Sequence, residues 1–213
     1  MEKYIADRLV TITVDMQNDF MPGGSLAVTE GDEIIPVINT LNDYTRAIGG
    51  IVIATGDQHP LETPHFGPDA WPVHCVAGTE GAALHDDLNI EKDDVIIDKG
   101  MGQTDGYSGF EGVGTNGETI ENIIQPIGRD RIAVLMAGVA TDFCVKNTVL
   151  DALKVDPKDG SIEVYVARDA VRGVNLQPGD DQKALDEMEA AGAILIDSVD
   201  VLTHKAFEIA GRQ

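Results

Sequence analysis

Three side chains of complementary chemistry, a carboxylate, an ammonium and a thiol, lie at or just beyond the ends of apolar runs. Asp15 ends the first such run, Lys99 follows the third, and Cys144 comes shortly after the fourth. In proximity, the carboxylate would accept the thiol proton and the ammonium would stabilise the charges that form. Taken singly, Asp15 is more simply a cap, Lys99 a surface lysine and Cys144 a small buried hydrophobe. Their shared position at strand ends favours a site of nucleophilic catalysis instead.

Cys144 lies in the first turn of a predicted helix, TDFCVKNTVLDALKV (141–155). Thr141 is expected to be the N-cap of this helix, and Asp142 suits its first turn. Free backbone N–H groups and the positive end of the helix dipole both favour a thiolate over a thiol. The position makes Cys144 a candidate nucleophile, with a small buried hydrophobe as the ordinary alternative, and its placement with Asp15 and Lys99 favours the former.

A second group of residues is rich in metal ligands. His59, His65 and His74 fall close together in DQHPLETPHFGPDAWPVHC (57–75), and Asp57 lies two residues before the first histidine. Imidazole nitrogens and carboxylate oxygens suit zinc, iron or manganese. Polar loop residues satisfied by solvent are the ordinary alternative, and this spacing is less specific than a four-cysteine zinc pattern. The density of histidines on one segment nevertheless favours a metal site.

Alternating strands and helices are expected to position these side chains. Six apolar runs predict strands at 8–15, 49–55, 93–98, 131–138, 161–167 and 192–197. Helical patterns cover 31–49, 116–128, 141–155 and 177–192. This alternation predicts a three-layer α/β/α fold around a six-stranded, mostly parallel sheet. A strand order of 3-2-1-4-5-6 would place the crossover between the first and fourth strands, which lead to Asp15 and Cys144.

Two segments, 56–92 and 99–117, interrupt this alternation and are rich in glycine, proline and polar residues. Long irregular segments are uncommon in compact domains and are often functional. Each begins where a strand ends, and open α/β sheets bind ligands at that edge. We therefore expect both segments to contribute to one site.

Composition limits the classes of function. The 213 residues are 43% hydrophobic, which fits one domain over residues 1–213, with the 56–92 segment as a metal-binding insertion. The net charge of −22 would repel nucleic acid and anionic membranes, so neither is an expected partner. No apolar run reaches bilayer length, the N-terminal residues lack the pattern of a signal peptide, and two cysteines do not indicate a structural disulfide. These features predict a cytoplasmic protein.

The segments that carry these residues resemble those of a known family. The segments VDMQNDFMPGGSLAV, DQHP, WPVHCVAGTEGA, DKGMGQTDGYSGFEG and GVATDFCVKNTVLDA are similar, in this order, to the nicotinamidase (pyrazinamidase) branch of the isochorismatase-like cysteine hydrolases. The resemblance runs from about Thr11 to Asp197. It implies the isochorismatase-like hydrolase fold, and hydrolysis of nicotinamide, and of pyrazinamide, to the acid and ammonia through a cysteine thioester.

The resemblance also assigns roles to residues, which are expectations here. Asp15, Lys99 and Cys144 match the catalytic triad of the family. The matching metal ligands are Asp57, His59 and His74, with His65 matching a histidine that joins the metal site in some members. The aromatic positions around the ring pocket are Phe20, Trp71 and Tyr107. The expected oxyanion hole consists of the backbone N–H groups of Ala140 and Cys144, next to a cis peptide between Val139 and Ala140.

One divalent metal is implied, with zinc as the first expectation and iron or manganese as alternatives, and its expected task is to position the ring nitrogen. A place in NAD salvage and a homo-oligomeric assembly are compatible with the resemblance. Two other functions stay open. One is an amidase of the same superfamily acting on carbamoyl or ureido compounds, whose members generally lack the histidine-rich segment. The other is a metal-binding or redox-sensing protein without turnover, with Cys144 as sensor and Cys75 as resolving partner.

Overall fold

A seven-stranded sheet forms the centre of the protein, whose computed structural model describes residues 3–156 and 159–211. The described residues form nine strands, of which β2 to β8 make up this sheet. They are β1 (Tyr4–Ala6), β2 (Arg8–Val14), β3 (Ile51–Asp57), β4 (Val95–Lys99), β5 (Val113–Gly114), β6 (Ile132–Val139), β7 (Ile162–Arg172), β8 (Ile194–Ile196) and β9 (Phe207–Ile209). The order in the sheet is β5-β4-β3-β2-β6-β7-β8. All neighbours are parallel except β4 and β5, and β1 pairs with β9 in a separate parallel ladder.

Five α-helices cover the sheet. They are α1 (Ile35–Ala47), α2 (Ile120–Ile124), α3 (Lys146–Val155), α4 (Asp180–Ala191) and α5 (Ser198–Leu202). Pro36 lies in the first turn of α1. Its missing N–H is tolerated there because the carbonyl four residues earlier lies outside the helix. Gly192 ends α4 with a φ of 116°, a left-handed conformation that favours glycine. Within residues 3–156 and 159–211, none of the helices combines the length and the hydropathy needed to cross a bilayer.

The core lies on both faces of the sheet. Successive strand residues point to opposite sides, so Leu9 and Val10 of β2 belong to different clusters of buried side chains. One cluster packs against α1 and α5, and the other packs against α2, α3 and α4. The predicted α/β fold with a mostly parallel sheet is therefore confirmed, and the helices form the two outer layers.

The six predicted runs all form strands, and the predicted order 3-2-1-4-5-6 corresponds to β4-β3-β2-β6-β7-β8. The prediction of six strands was wrong, because β5 adds a seventh at the edge of the sheet. This strand is two residues long and lies in the glycine-rich 99–117 segment, so it has no apolar run to mark it. Its position is set by pairing with β4 rather than by local propensity.

Two predicted helices differ from the observed ones. The pattern at 116–128 forms only the five residues of α2. This helix begins after Thr119, whose side chain accepts a hydrogen bond from the Asn122 N–H. It ends before Gln125, which is extended because it precedes a proline. The pattern at 31–49 begins as a helix only at Ile35, after a short 3₁₀ turn.

The topology brings four strand ends to one edge of the sheet. The central strands β2 and β6 are neighbours, although β3, β4 and β5 intervene between them in the chain. Asp15 follows β2, Asp57 ends β3, Lys99 ends β4, and the segment with Cys144 follows β6. This edge, at the crossover of strand order, is where α/β proteins of this type bind ligands.

Candidate active site

Asp15 is held rigidly at the end of β2. Its backbone has a φ of 50°, and its N–H donates to the Thr55 carbonyl of the neighbouring strand at 3.2 Å. The Thr55 hydroxyl in turn donates to Asp15 Oδ1 at 2.6 Å. Both residues are fully buried. One carboxylate oxygen is therefore fixed by β3, and the other is left for the groups in front of the sheet edge.

Lys99 connects the acidic groups with the thiol. Its ammonium Nζ lies 2.9 Å from Asp15 Oδ2, 2.6 Å from Asp57 Oδ1 and 3.5 Å from Cys144 Sγ. It also donates to the Gly106 carbonyl at 3.0 Å. Burial lowers the pKa of Lys99, but the two carboxylates outweigh burial and hold this pKa well above the ordinary lysine value. The lysine is therefore a permanently charged ammonium inside the protein.

The turn that carries Cys144 differs from the predicted helix start. Residues Thr141–Val145 form one π-helical turn, and Ala140 is the N-cap, without a side-chain cap. The prediction of Thr141 as the N-cap was therefore wrong, because the wider turn begins one residue earlier and encloses Thr141. The expected cis peptide between Val139 and Ala140 is present.

Asp142 lies in this turn as expected, but its carboxylate points to another part of the chain. Its two oxygens accept hydrogen bonds from the Val174 and Asn175 N–H groups at 2.9 and 2.8 Å. Asp142 thus connects the turn with the loop after β7. This loop contributes Val174 to the wall of the pocket described below.

The protonation state of Cys144 does not follow from the helix terminus alone. Burial raises the pKa of the Cys144 thiol well above its usual value; Lys99 lowers this pKa, whereas Asp15 and Asp57 raise it. Desolvation and the two carboxylates therefore oppose the expected effect of the turn, which favours a thiolate. The thiol carries its proton until a neighbouring base removes it.

Asp15 has the geometry of that base. Its carboxylate lies within 4.8 Å of Cys144 Sγ. Burial raises the pKa of Asp15, while Lys99 opposes this effect. Oxygen Oδ2 forms the 2.9 Å ion pair with Lys99 Nζ, but it accepts no well-oriented hydrogen bond from the described residues. The Asp15 carboxyl group, with its raised pKa, lies close to the Cys144 thiol and the Lys99 ammonium. This arrangement is suited to proton transfer between Cys144 and Asp15.

The three histidines converge beside this group. Ring atoms of His59, His65 and His74 lie within 4.8 Å of one another, and all three residues are buried. Each Nδ1 meets an oxygen that can only accept, so each ring, when neutral, carries its proton on Nδ1 and has its lone pair on Nε2. The acceptors are Gly100 O for His59 at 3.0 Å, Asp105 Oδ1 for His65 at 2.7 Å and Pro72 O for His74 at 2.8 Å.

This donor set fits a divalent metal. His59 Nε2 is buried without a hydrogen-bond partner among the described residues, and it lies 3.7 Å from Asp57 Oδ2. Burial lowers the pKa of His74, which keeps its imidazole neutral and able to donate a lone pair. Asp57 connects the histidines with Lys99, because its Oδ2 lies near His59 and its Oδ1 accepts a hydrogen bond from the Lys99 ammonium. The structure thus brings His65 together with His59 and His74, and Asp57 lies beside His59 at the edge of this cluster.

An aromatic pocket opens in front of Cys144. The predicted residues Phe20, Trp71 and Tyr107 line it, and the Trp71 indole N–H donates to the Tyr107 hydroxyl at 2.8 Å. Phe143 packs edge-on against Trp71 with ring centroids 4.9 Å apart. Ala140, His65 and His74 also line this pocket. Flat aromatic walls between a thiol and a nitrogen-rich cluster suit a small planar ring.

Sequence reasoning missed several residues of the site. These are Thr55, Asp105, Leu26, Phe143 and Val174. Phe143 could have been inferred, because it precedes Cys144 in the same turn. The others have no local signal, because they come to the site from segments that are distant in the chain.

Gln17 and Asp19 were also missed, and they attach the histidine segment to the rest of the site. Gln17 pairs with the backbone of Asp57, accepting from its N–H at 2.7 Å and donating to its carbonyl at 2.8 Å. Asp19 accepts from the Cys75 N–H at 2.7 Å. Both belong to the polar run that follows β2, so the loop after the first central strand fixes the ends of the metal-ligand segment.

Comparison with known proteins finds relatives over most of the chain. The isochorismatase domain family matches residues 10–200. The nicotinamidase of Escherichia coli (strain K12) is 39% identical over 203 residues, and the match covers 86% of this chain and 92% of that protein. The crystal structure of the Pyrococcus horikoshii pyrazinamidase in complex with zinc is 40% identical, with a TM-score of 0.75 and coverage of 89% and 99%. The L. infantum PnC1 structure in complex with nicotinate is 32% identical, with a TM-score of 0.77 and coverage of 97% and 98%.

Proposed function

The chain belongs to the isochorismatase domain family, and from this premise we propose that it hydrolyses nicotinamide to nicotinic acid and ammonia. Similarity to the E. coli nicotinamidase and to the nicotinate-bound L. infantum structure supports this substrate. Similarity to the P. horikoshii pyrazinamidase supports pyrazinamide as a second substrate. The observation that carries the proposal is the cluster of Asp15, Lys99 and Cys144, in which Lys99 lies between the other two and Cys144 lines an aromatic pocket.

The first half of the reaction forms a thioester. Asp15 takes the proton of Cys144 while Lys99 stabilises the negative charge, and the sulfur attacks the carboxamide carbon of the substrate. The backbone N–H groups of Ala140 and Cys144 bind the resulting oxyanion. Loss of one such donor typically lowers the rate about 100- to 1000-fold. Asp15 then passes its proton to the departing nitrogen, which leaves as ammonia.

The second half consumes water. Asp15, again a carboxylate, accepts a proton from a water molecule that attacks the thioester carbon. The carbon–sulfur bond breaks, nicotinic acid forms, and the proton returns to the sulfur of Cys144. The same acid thus serves both steps. By forming nicotinic acid from nicotinamide, the protein would take part in NAD salvage.

The metal site has a separate role in this proposal. Asp57, His59, His65 and His74, all four within the 56–92 insertion of a single domain, would hold one divalent metal. Zinc is the first choice because the similar P. horikoshii structure is a zinc complex, and the nitrogen-rich donor set also accepts iron or manganese. When bound, the metal supplies a Lewis acid that orients the pyridine nitrogen. Phe20, Trp71 and Tyr107 would hold the ring between them.

A direct assay tests the function. The purified protein is incubated with nicotinamide, pyrazinamide and a ureido compound, and ammonia release is measured. We expect release from the two aromatic amides. We expect Cys144→Ala to lose at least about 1000-fold in kcat, because the nucleophile is absent. Cys75→Ala is the matched control and should keep near-normal turnover. Full activity in Cys144→Ala would refute the covalent mechanism.

Chelation tests the need for a metal. We expect a strong chelator to lower turnover of nicotinamide, and added zinc, iron or manganese to restore it. Circular dichroism of the chelated protein distinguishes loss of metal from unfolding. Turnover that is indifferent to metal removal, with metal content measured on the same sample, would refute the positioning role.

A further inference from the structure

A short glycine-bounded loop contacts both parts of the site. Gly100 and Gly106 have φ values of 69° and 65°, and a Cβ built on Gly106 would lie 2.5 Å from Gly100 Cα. The chain therefore nearly closes on itself at these two residues, which only glycine permits. Residues 101–105, between them, are exposed. We refer to residues 100–106 as the pinched loop.

The pinched loop supplies an acceptor to each of three buried cationic or imidazole groups. The Gly100 carbonyl binds His59 Nδ1, the Gly106 carbonyl binds the Lys99 ammonium, and the Asp105 carboxylate binds His65 Nδ1. Two of these acceptors are backbone carbonyls, which almost any sequence would provide. Asp105 is a side-chain acceptor, so the residue type at this position matters.

Asp105 differs from the other acceptors of the histidine cluster in charge and exposure. The imidazoles of His59 and His74 each meet a neutral carbonyl. His65 meets a carboxylate at 2.7 Å, with its own side chain 2% exposed and that of Asp105 58% exposed. A charged acceptor fixes the Nδ1–H tautomer, orients the ring and makes Nε2 a stronger donor. An exposed loop residue therefore controls a buried ligand atom.

We propose that Asp105 is a positioning residue for the metal, and that it sets metal affinity by holding the imidazole of His65 with its Nε2 lone pair toward the other ligands. The inference rests on the metal site of the proposed function. It concerns binding rather than turnover, so it is testable without substrate.

Zinc affinity measures the effect. Free zinc is titrated into the metal-depleted full-length protein in competition with a chromophoric chelator. We expect Asp105→Ala to bind zinc about 10-fold or more weakly, within the range typical for loss of a partner that orients a ligand. Asp105→Glu should recover part of this loss. Asp69→Ala removes an exposed carboxylate from the histidine-bearing segment and should leave zinc affinity unchanged.

Two further measurements separate positioning from general structural support. In a His65→Ala background, Asp105→Ala should cause no additional loss, because its effect acts through that imidazole. In the metal-free protein, ¹⁵N shifts of His65 should show a protonated Nδ1 in the wild type and a mixture of tautomers in Asp105→Ala. Unchanged zinc affinity in Asp105→Ala, or an equal loss in the His65→Ala background, would overturn the inference. Absence of nicotinamide hydrolysis would refute the proposed function and leave this result intact.

Discussion

At the scale of single residues, Lys99 governs the charge balance of the site. Its ammonium is fully buried between the Asp15 and Asp57 carboxylates. Moving charges out of water is costly, and a buried pair is tolerated only with close partners and further hydrogen bonds. Here the Gly106 carbonyl and Thr55 hydroxyl supply those bonds. The lysine therefore balances the buried charge of Asp15, the proposed catalytic acid, and of Asp57.

Replacement of Lys99 by methionine is expected to destabilise the protein by about 3–5 kcal/mol, because two buried carboxylates lose their counter-charge. The measurement is urea unfolding at two pH values. Without the ammonium, the pKa of Asp15, already raised by burial, rises further in the folded state. A raised carboxyl pKa means that the folded state gains stability relative to the unfolded state as pH falls. The loss relative to wild type should therefore be smaller at pH 5 than at pH 8.

Lys154→Met is the matched control, because this lysine pairs with Asp151 on the surface. Such an exposed pair contributes about 0–1 kcal/mol. An equally small loss on replacing Lys99 would contradict the assigned charge balance.

The two cysteines are expected to differ in reactivity. Cys75 is fully buried, and burial and the charges of Asp57, Asp15 and Asp19 raise its pKa far above the usual value. Cys144 reaches the pocket. We expect iodoacetamide to label Cys144 first, with protection by nicotinamide, as measured by peptide mass spectrometry.

The same experiment tests the redox-sensing alternative. Cys75 packs in the cluster on one face of the sheet, and Cys144 packs in the cluster on the other face. Both are free thiols. Equal labelling of the two, or a disulfide between them after mild oxidation, would support the role of Cys75 as resolving partner and count against the proposed nucleophile.

At the scale of secondary-structure elements, the π-helical turn Thr141–Val145 links the sheet edge to the aromatic pocket. Asp142 of this turn holds the N–H groups of Val174 and Asn175 in the loop after β7. Val174 lines the pocket together with the aromatic residues of other segments. One turn therefore positions the proposed nucleophile and one wall of the pocket.

Asp142→Ala is expected to lower the free energy of unfolding by about 1–3 kcal/mol, because two loop N–H groups lose their acceptor. Since the loop wall moves more than the sulfur does, KM for nicotinamide should rise more than kcat falls. Steady-state kinetics and urea unfolding measure both effects. Asp186→Ala, on the exposed side of α4, serves as control and should change neither. A fall in kcat with constant KM would show that the contact acts on the sulfur instead.

At the scale of the whole molecule, the dominant feature is negative charge. The chain carries 37 acidic and 15 basic residues, for a net charge of −22. Self-repulsion of this size opposes the compact state. Screening by salt shortens the range of this repulsion from about 10 Å at 0.1 M to about 3 Å at 1 M.

We expect thermal stability to increase with salt. Raising KCl from 0.1 to 1 M should increase the Tm by roughly 4–8 °C, corresponding to about 2 kcal/mol in a domain of this size. Differential scanning calorimetry gives the shift. A variant with several exposed acids changed to asparagine or glutamine should start from a higher Tm and respond less. A Tm that is constant or falls with KCl would contradict this view of the surface.

Much of the fold could be predicted from the sequence, because its main elements are marked locally. The apolar run IAVLMAGV is buried along its whole length in β6, and helix ends such as Gly192 follow from backbone chemistry. Parallel strands joined by helices leave few topologies. From this the sequence also indicated that Asp15, Asp57, Lys99 and Cys144 lie at one edge of the sheet.

Other features depend on contacts between distant segments, and only the tertiary structure decided them. The strand β5 exists because it pairs with β4, and Asp105 reaches His65 because two glycines bring the ends of a loop together. The charge states of Cys144 and Lys99 depend on desolvation and on neighbours within a few ångströms, which sequence spacing does not encode. The sequence by itself determined which chemical groups this protein brings to the sheet edge, because local patterning places strand ends. The folded arrangement decided which of those groups touch and which hold a proton, because electrostatic energies depend on distance and burial.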